Sequence, residues 1–150
     1  MRPSAQIVSQ LIISLLLTMA CATGVVAQAS YPKGEGEKVT LKSSIEMEKA
    51  YLSGLCILRR QGDEVRGSIF NEFGISAMDF TYRAGKDKVR LHSVVKMMDK
   101  WYIRRMLRKD LREVMHELRE GRLKYENNRN KITYTFVPIE RGERKDDGAR

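Results

Sequence analysis

Cysteine is nearly missing from this chain. Two thiols occur in 150 residues, and one of them, Cys21, lies in an apolar N-terminal stretch, which leaves Cys56 alone in the remainder. An intramolecular disulfide is therefore not expected, and stability has to come from a hydrophobic core. Cys56 stands in Leu55-Cys56-Ile57-Leu58, a context that buries a thiol as a small apolar group. Histidine is as scarce. Around His92 and His116 no cysteine or carboxylate cluster stands at a ligand spacing, so no metal site is expected. Gly34-Glu35-Gly36 neither follows a strand nor opens a helix, which argues against a phosphate loop. Ser68, Ser76 and Ser93 lie outside any nucleophile-elbow context, and the paired acids Asp63-Glu64 and Asp146-Asp147 fall in a turn and a tail. No catalytic residue and no cofactor is expected, and the chain reads as a non-enzyme.

What the chain does have is a greasy beginning. Arg2 is the only charged residue of the first 27, and from Ile7 through Ala27 the sequence is almost entirely apolar or small, with Leu11-Ile12-Ile13-Ser14-Leu15-Leu16-Leu17 at its centre. A basic start, a short apolar middle and a small-residue end describe a bacterial signal peptide over residues 1–27. Val25-Val26-Ala27 places small or modest residues three and one before a cut ahead of Gln28, the favoured site. Thr18-Met19-Ala20-Cys21 competes as a lipobox, in which Cys21 would be acylated and become the new N-terminus. Either processing leads to the periplasm or the periplasmic face of the outer membrane. The net charge of +9 then belongs almost wholly to the exported part. Export removes nucleic acid from the partners such a charge attracts and leaves anionic headgroups or an acidic protein surface.

Residues 28–38 are small, polar and broken by Pro32, Gly34 and Gly36, and read as a flexible leader. Period-two alternation then predicts a meander of five strands, over Val39–Met47, Ala50–Arg60, Val65–Phe73, Ile75–Arg83 and Val89–Met97. Gln61-Gly62-Asp63-Glu64 and Ala84-Gly85-Lys86-Asp87-Lys88 supply turns, while Gly67 and Gly74 read as strand-break or bulge positions. The period changes after Asp99. Ile103, Met106, Leu107, Leu111, Val114, Met115 and Leu118 recur at three- and four-residue steps, the spacing of one helix face, with Asp99 as N-cap and Gly121 as stop. A hairpin follows, over Arg122–Glu126 and Lys131–Val137, with the turn at Asn127–Asn130. Beyond Pro138 the charged tail 140–150 is expected to be disordered. One domain over 39–139 results, of α+β class: a curved antiparallel sheet, an open half-barrel, packed on one amphipathic helix.

The far side of that helix carries Arg104, Arg105, Arg108, Lys109 and Arg112, with Trp101 and Tyr102 at its head. Glutamates interleave with these bases, so the face is either a docking surface for an anionic partner or a solvated, salt-bridged exterior. The methionines Met47, Met78, Met97, Met98, Met106 and Met115, among Phe70, Phe73 and Phe80, are either core or the lining of an adaptable apolar pocket.

From Gly67 to Leu118 the order of elements resembles that of the lipoprotein-localisation carriers of the LolA and LolB type. The resemblance rests on Asn71-Glu72-Phe73-Gly74-Ile75-Ser76-Ala77-Met78-Asp79-Phe80 and on Asp110-Leu111-Arg112-Glu113-Val114-Met115. It implies an unclosed barrel under a helical lid, with acyl chains held between them. The first functional expectation is thus a cell-envelope protein binding lipid or lipidated protein in the concavity of the sheet, lined by Phe70, Phe73, Met78, Phe80, Leu91, Trp101 and Met106. The second is a protein-interaction or structural module that docks through the basic helix on an acidic partner or a membrane surface.

Overall fold

Alternation of side chains across each strand decides which face of the sheet is buried, and the computed structural model describes residues 29–139. Seven strands, β1 (Lys38–Met47), β2 (Ala50–Gln61), β3 (Glu64–Asn71), β4 (Ser76–Arg83), β5 (Lys88–Val94), β6 (Lys124–Asn127) and β7 (Ile132–Pro138), form one antiparallel sheet. Its order is β5-β4-β3-β2-β1-β7-β6, so the C-terminal hairpin returns beside the first strand. One helix, α1 (Trp101–Arg119), joins β5 to β6. Among the strands its contacts concentrate on β5 and β6, the two edges, so it closes the open side of a curled half-barrel.

The inner face of the sheet carries Leu41 and Ile45, Cys56 and Leu58, Val65 and Ile69, Met78, Phe80 and Tyr82, Tyr134 and Phe136, all buried. Against it α1 places Leu107, Leu111, Val114, Met115 and Leu118, each burial contributing roughly 1.5–3 kcal/mol. Gly67 faces the same interior, paired with Phe80, and a Cβ there would fall within the Phe80 ring. It is thus a packing glycine inside β3. The sheet irregularities lie instead at Ile69/Phe70 and Asp79/Phe80.

Several expected boundaries shift for local reasons. β3 stops at Asn71, because the Asn71 Oδ1 accepts the N–H groups of Phe73 and Ile75 and turns the chain, with Gly74 at φ +76° as the sequence suggested. β5 stops at Val94, and Lys96–Met98 form a 3-10 turn, so Val95 and Met97 leave the alternation and become exposed. The N-cap position falls to Lys100, which makes no side-chain cap, while Asp99 pairs with Arg104. Gly121, at φ +81°, ends α1 as expected. Its N–H bonds the Leu118 carbonyl and that of Arg122 bonds Glu117, a Schellman closure. In the last hairpin the positive φ falls on Lys131 rather than on an asparagine.

The leader is not a free tether over its described residues. Tyr31 and Pro32 are buried, the Ser30 hydroxyl donates to the Leu118 carbonyl at 2.7 Å, and the Gly36 N–H reaches the Arg60 carbonyl. Tyr31 belongs to the core, so the folded unit begins some eight residues before β1. The signal peptide, Cys21 and the 140–150 tail lie outside the described residues.

Candidate functional site

Four of the six lysines and arginines of α1 share one stripe. Positions 105, 108, 109 and 112 are spaced by three and four residues, which aligns Arg105, Arg108, Lys109 and Arg112 along the outside of α1. Arg104 is held off that line by its ion pair with Asp99. Arg112 meets Glu113 at 3.0 Å, but among the described residues Arg105, Arg108 and Lys109 have no carboxylate partner. Lys88, from the edge strand β5, continues the patch in a shallow depression of about 270 Å³ that it lines with Arg105, Arg108, Lys109 and Arg112.

The first turn holds no acid and the last turn holds His116 and Arg119, while Arg105, Arg108 and Lys109 lie beyond the first turn, where the macrodipole has little effect on them. Glu117 sits in the C-terminal turn, where the dipole disfavours negative charge, and is relieved chiefly by Arg122, with His116 adding to it. Like charges three and four residues apart repel, so the unpaired row Arg105, Arg108 and Lys109 is a local cost that points to a use elsewhere.

Beside the stripe, α1 and the β6–β7 hairpin frame a cleft of about 600 Å³, with Arg105, Lys109 and Arg112 on one wall and Tyr125, Asn127 and Arg129 on the other. Its floor is Asp110, 2% exposed. The Tyr134 hydroxyl donates to one of its oxygens at 2.7 Å and the Asn127 amide to the other at 2.7 Å. Burial pushes the Asp110 carboxyl above its ordinary value, and these two donors offset only part of that. The Asn127 Oδ1 accepts the Asn130 N–H, so the amide is fixed at both ends. On the other flank, Asp87 accepts from the Tyr82 hydroxyl and His116, tying the β4–β5 turn to the helix. The hydrogen bond from His116, joined by that from Tyr82, holds the Asp87 carboxyl below its usual range.

The seven residues expected to line a lipid cavity do not gather. Met78, Phe80 and Leu91 are packed in the core, and Met106 is half-buried at its margin. Phe73 is 87% exposed and Trp101 76% exposed. Phe70 points to the opposite side of the sheet. Between sheet and helix the structure leaves a cavity of about 70 Å³, lined by Met78, Met98, Met106 and their neighbours. A larger groove, about 740 Å³, lies on the outer face, where Leu55, Ile57, Phe70 and Val137 provide its apolar part. Cys56 is buried, and burial pushes its thiol up to about 12, consistent with a core residue.

Comparison with known proteins found no family model that matches, and no match among the curated proteins or the solved structures. Among the described residues no three His, Cys, Asp or Glu side chains gather around a metal-sized space, and no helix is long and apolar enough to cross a membrane. His92 meets the Thr81 hydroxyl at 2.7 Å, while the Ser68, Ser76 and Ser93 hydroxyls all donate to Asp79. Burial would raise the Asp79 carboxyl, and the three donors overcome it. These serines pin the β3–β4–β5 irregularity, and none contacts a histidine. Asp110, Asn127, Arg129 and Tyr134 are not among the site residues expected from sequence. The available signal was position: Asp110 falls beside Leu111 and three residues from Leu107, on the apolar stripe, where an acid needs partners.

Proposed function

We propose that this protein is an exported, non-enzymatic envelope protein that docks on an anionic membrane surface through the basic stripe of α1. The single observation that carries the reading is the row Arg105, Arg108 and Lys109, without carboxylate partners among the described residues. Exposed apolar side chains favour a membrane over an acidic protein. Met97, Trp101 and Tyr102 stand open at the head of the stripe, and Phe73 and Ile75 open at the same end of the sheet, where Val95 bonds back to Ala77. Aromatic rings beside cations suit the headgroup layer, which is both polar and apolar. The N-terminal signal-like segment supports export to such a surface.

Simultaneous Arg105→Glu, Arg108→Glu and Lys109→Glu substitution tests this. The excess of binding to vesicles containing phosphatidylglycerol over purely zwitterionic vesicles should disappear, while stability changes by less than about 0.5 kcal/mol per site, as expected for exposed residues. An unchanged excess would refute the reading. Unfolding of the variant would show that these bases serve the fold instead.

The lipid-carrier reading has one observation in its favour, the outer groove of about 740 Å³. An acyl chain held on the helix side, by contrast, requires α1 to leave the sheet, because the space there is about 70 Å³. Native mass spectrometry of the exported protein separates the two readings: a co-purifying lipid released by collision supports the carrier, and its absence leaves surface docking.

A further inference from the structure

We infer that the cleft between α1 and the β6–β7 hairpin is a specific site for a phosphate-bearing polar group, a glycerophosphate headgroup or the corresponding free phosphate ester. The inference rests on the membrane-docking reading and names what the docked protein recognises. Cations reach this cleft from two separate elements: Arg105, Lys109 and Arg112 from the helix, and Arg129 from the hairpin turn. Their convergence is repulsive, and the single rim carboxylate, Glu113, is spent on Arg112. Guanidinium groups match phosphate oxygens in paired hydrogen bonds, which a merely solvated face does not require.

Besides these bases and Glu113, the cleft is lined by Tyr102, Met106, Asp110, Tyr125, Asn127 and Asn130. Asp110 at its floor accepts from Tyr134 and Asn127 and so fixes the Asn127 amide, while its 2% exposure keeps its charge back from the cleft surface, where four bases outnumber it and Glu113. Tyr102 and Tyr125 stand at opposite sides, and their hydroxyl groups, with Asn127 and Asn130, suit the hydroxyls of a glycerol-like substituent. A volume of about 600 Å³ accommodates such a group and falls in the usual range of small-molecule sites. Arg108 belongs to the stripe but does not line this cleft, which allows the two proposals to be separated.

The test uses protein exported from the full chain, titrated with glycerol 3-phosphate, with inorganic phosphate, and with vesicles containing phosphatidylglycerol, and followed by backbone amide shifts. Saturable shifts at Asn127–Asn130 and Arg105–Lys109 are expected. Arg129→Glu should weaken glycerol 3-phosphate binding by about tenfold or more, and Arg108→Glu should leave it within about twofold while weakening vesicle binding. Release of bound vesicles by glycerol 3-phosphate assigns the site to the lipid headgroup. Saturation without release assigns it to a free phosphate ester, and either result supports the site. If Arg129→Glu changes neither ligand's binding while the stripe variants still abolish vesicle binding, the cleft is overturned and docking stands. If the unaltered protein binds neither vesicles nor phosphate, both fall.

Discussion

Removing one hydroxyl from the core should loosen the join between the helix and the last hairpin. Tyr134→Phe deletes the 2.7 Å hydrogen bond to Asp110 and nothing else in the packing. The ring stays between Tyr125 and the core, and Asp110 keeps only Asn127. A hydrogen bond to a charged group is worth about 1.5–3 kcal/mol, and a buried oxygen left unsatisfied puts the cost near the middle of that range, about 2 kcal/mol. For a domain of this size the melting temperature should fall by about 8 °C. Burial beside Asp110 pushes the Tyr134 hydroxyl far above the phenol range, so it remains a donor throughout the accessible pH range.

The pH dependence gives a second, independent signature. Because the folded Asp110 carboxyl lies above its unfolded value, the folded state takes up the proton first, and its burial costs stability above the folded value. That cost is relieved as pH falls through the folded value. Without the Tyr134 donor the carboxylate is worse off, so the deficit of Tyr134→Phe should be largest above the folded value, at neutral pH, and shrink as pH falls through it. Urea unfolding followed by circular dichroism measures both. A loss under about 0.5 kcal/mol at neutral pH, or one that grows on acidification, would refute the account of this network.

Gly67→Ala should cost about 1–3 kcal/mol by overpacking against Phe80, and Phe80→Leu in the same chain should recover part of it, read from urea midpoints. Asp87→Asn tests the sign of a lowered carboxylate. Its stabilisation is present above the unfolded value near 3.8 and is lost as pH falls through the lower folded value, so the substitution should flatten the acid limb of the stability curve below about pH 4. Asparagine tolerates the left-handed backbone at this position, φ 46°, so no strain is added. Both partners are half exposed, which keeps the neutral-pH effect under about 1 kcal/mol. Arg105→Ala should weaken binding to anionic vesicles about fivefold, whereas Arg104→Ala, whose charge is spent on Asp99, should weaken it less, in vesicle sedimentation at low salt.

The alternation in β1 through β5 and the three-and-four spacing of Leu107, Leu111, Val114 and Leu118 made the half-barrel and its helix legible before any coordinates. Both are local periodicities with one buried face. The pairing of β7 with β1 was not legible, because it joins residues far apart in sequence whose pattern fits any neighbour. The leader was misread for a similar reason. Tyr31 stands among turn residues and is buried only because the end of α1 comes back over it. Phe73 continues the period-two row of Val65, Gly67 and Ile69, and only the Asn71 turn, which ends β3, takes it out of the sheet, whereas Trp101 has apolar type as its one cue. Of the site, the bases on the helix were plain in the sequence. Arg129 and Asn127 were not, since a turn of four polar residues carries no mark of the charged wall it faces.

The most direct test uses Trp101, the only tryptophan in the chain. It is exposed at the head of the basic stripe, so its emission reports docking there and not insertion of the N-terminal segment. On adding vesicles containing phosphatidylglycerol, the emission of the full chain should move to shorter wavelength and become sensitive to brominated acyl chains. The change should weaken as salt rises and be absent with phosphatidylcholine alone. An emission indifferent to lipid charge, or a shift that salt leaves untouched, would contradict docking through α1.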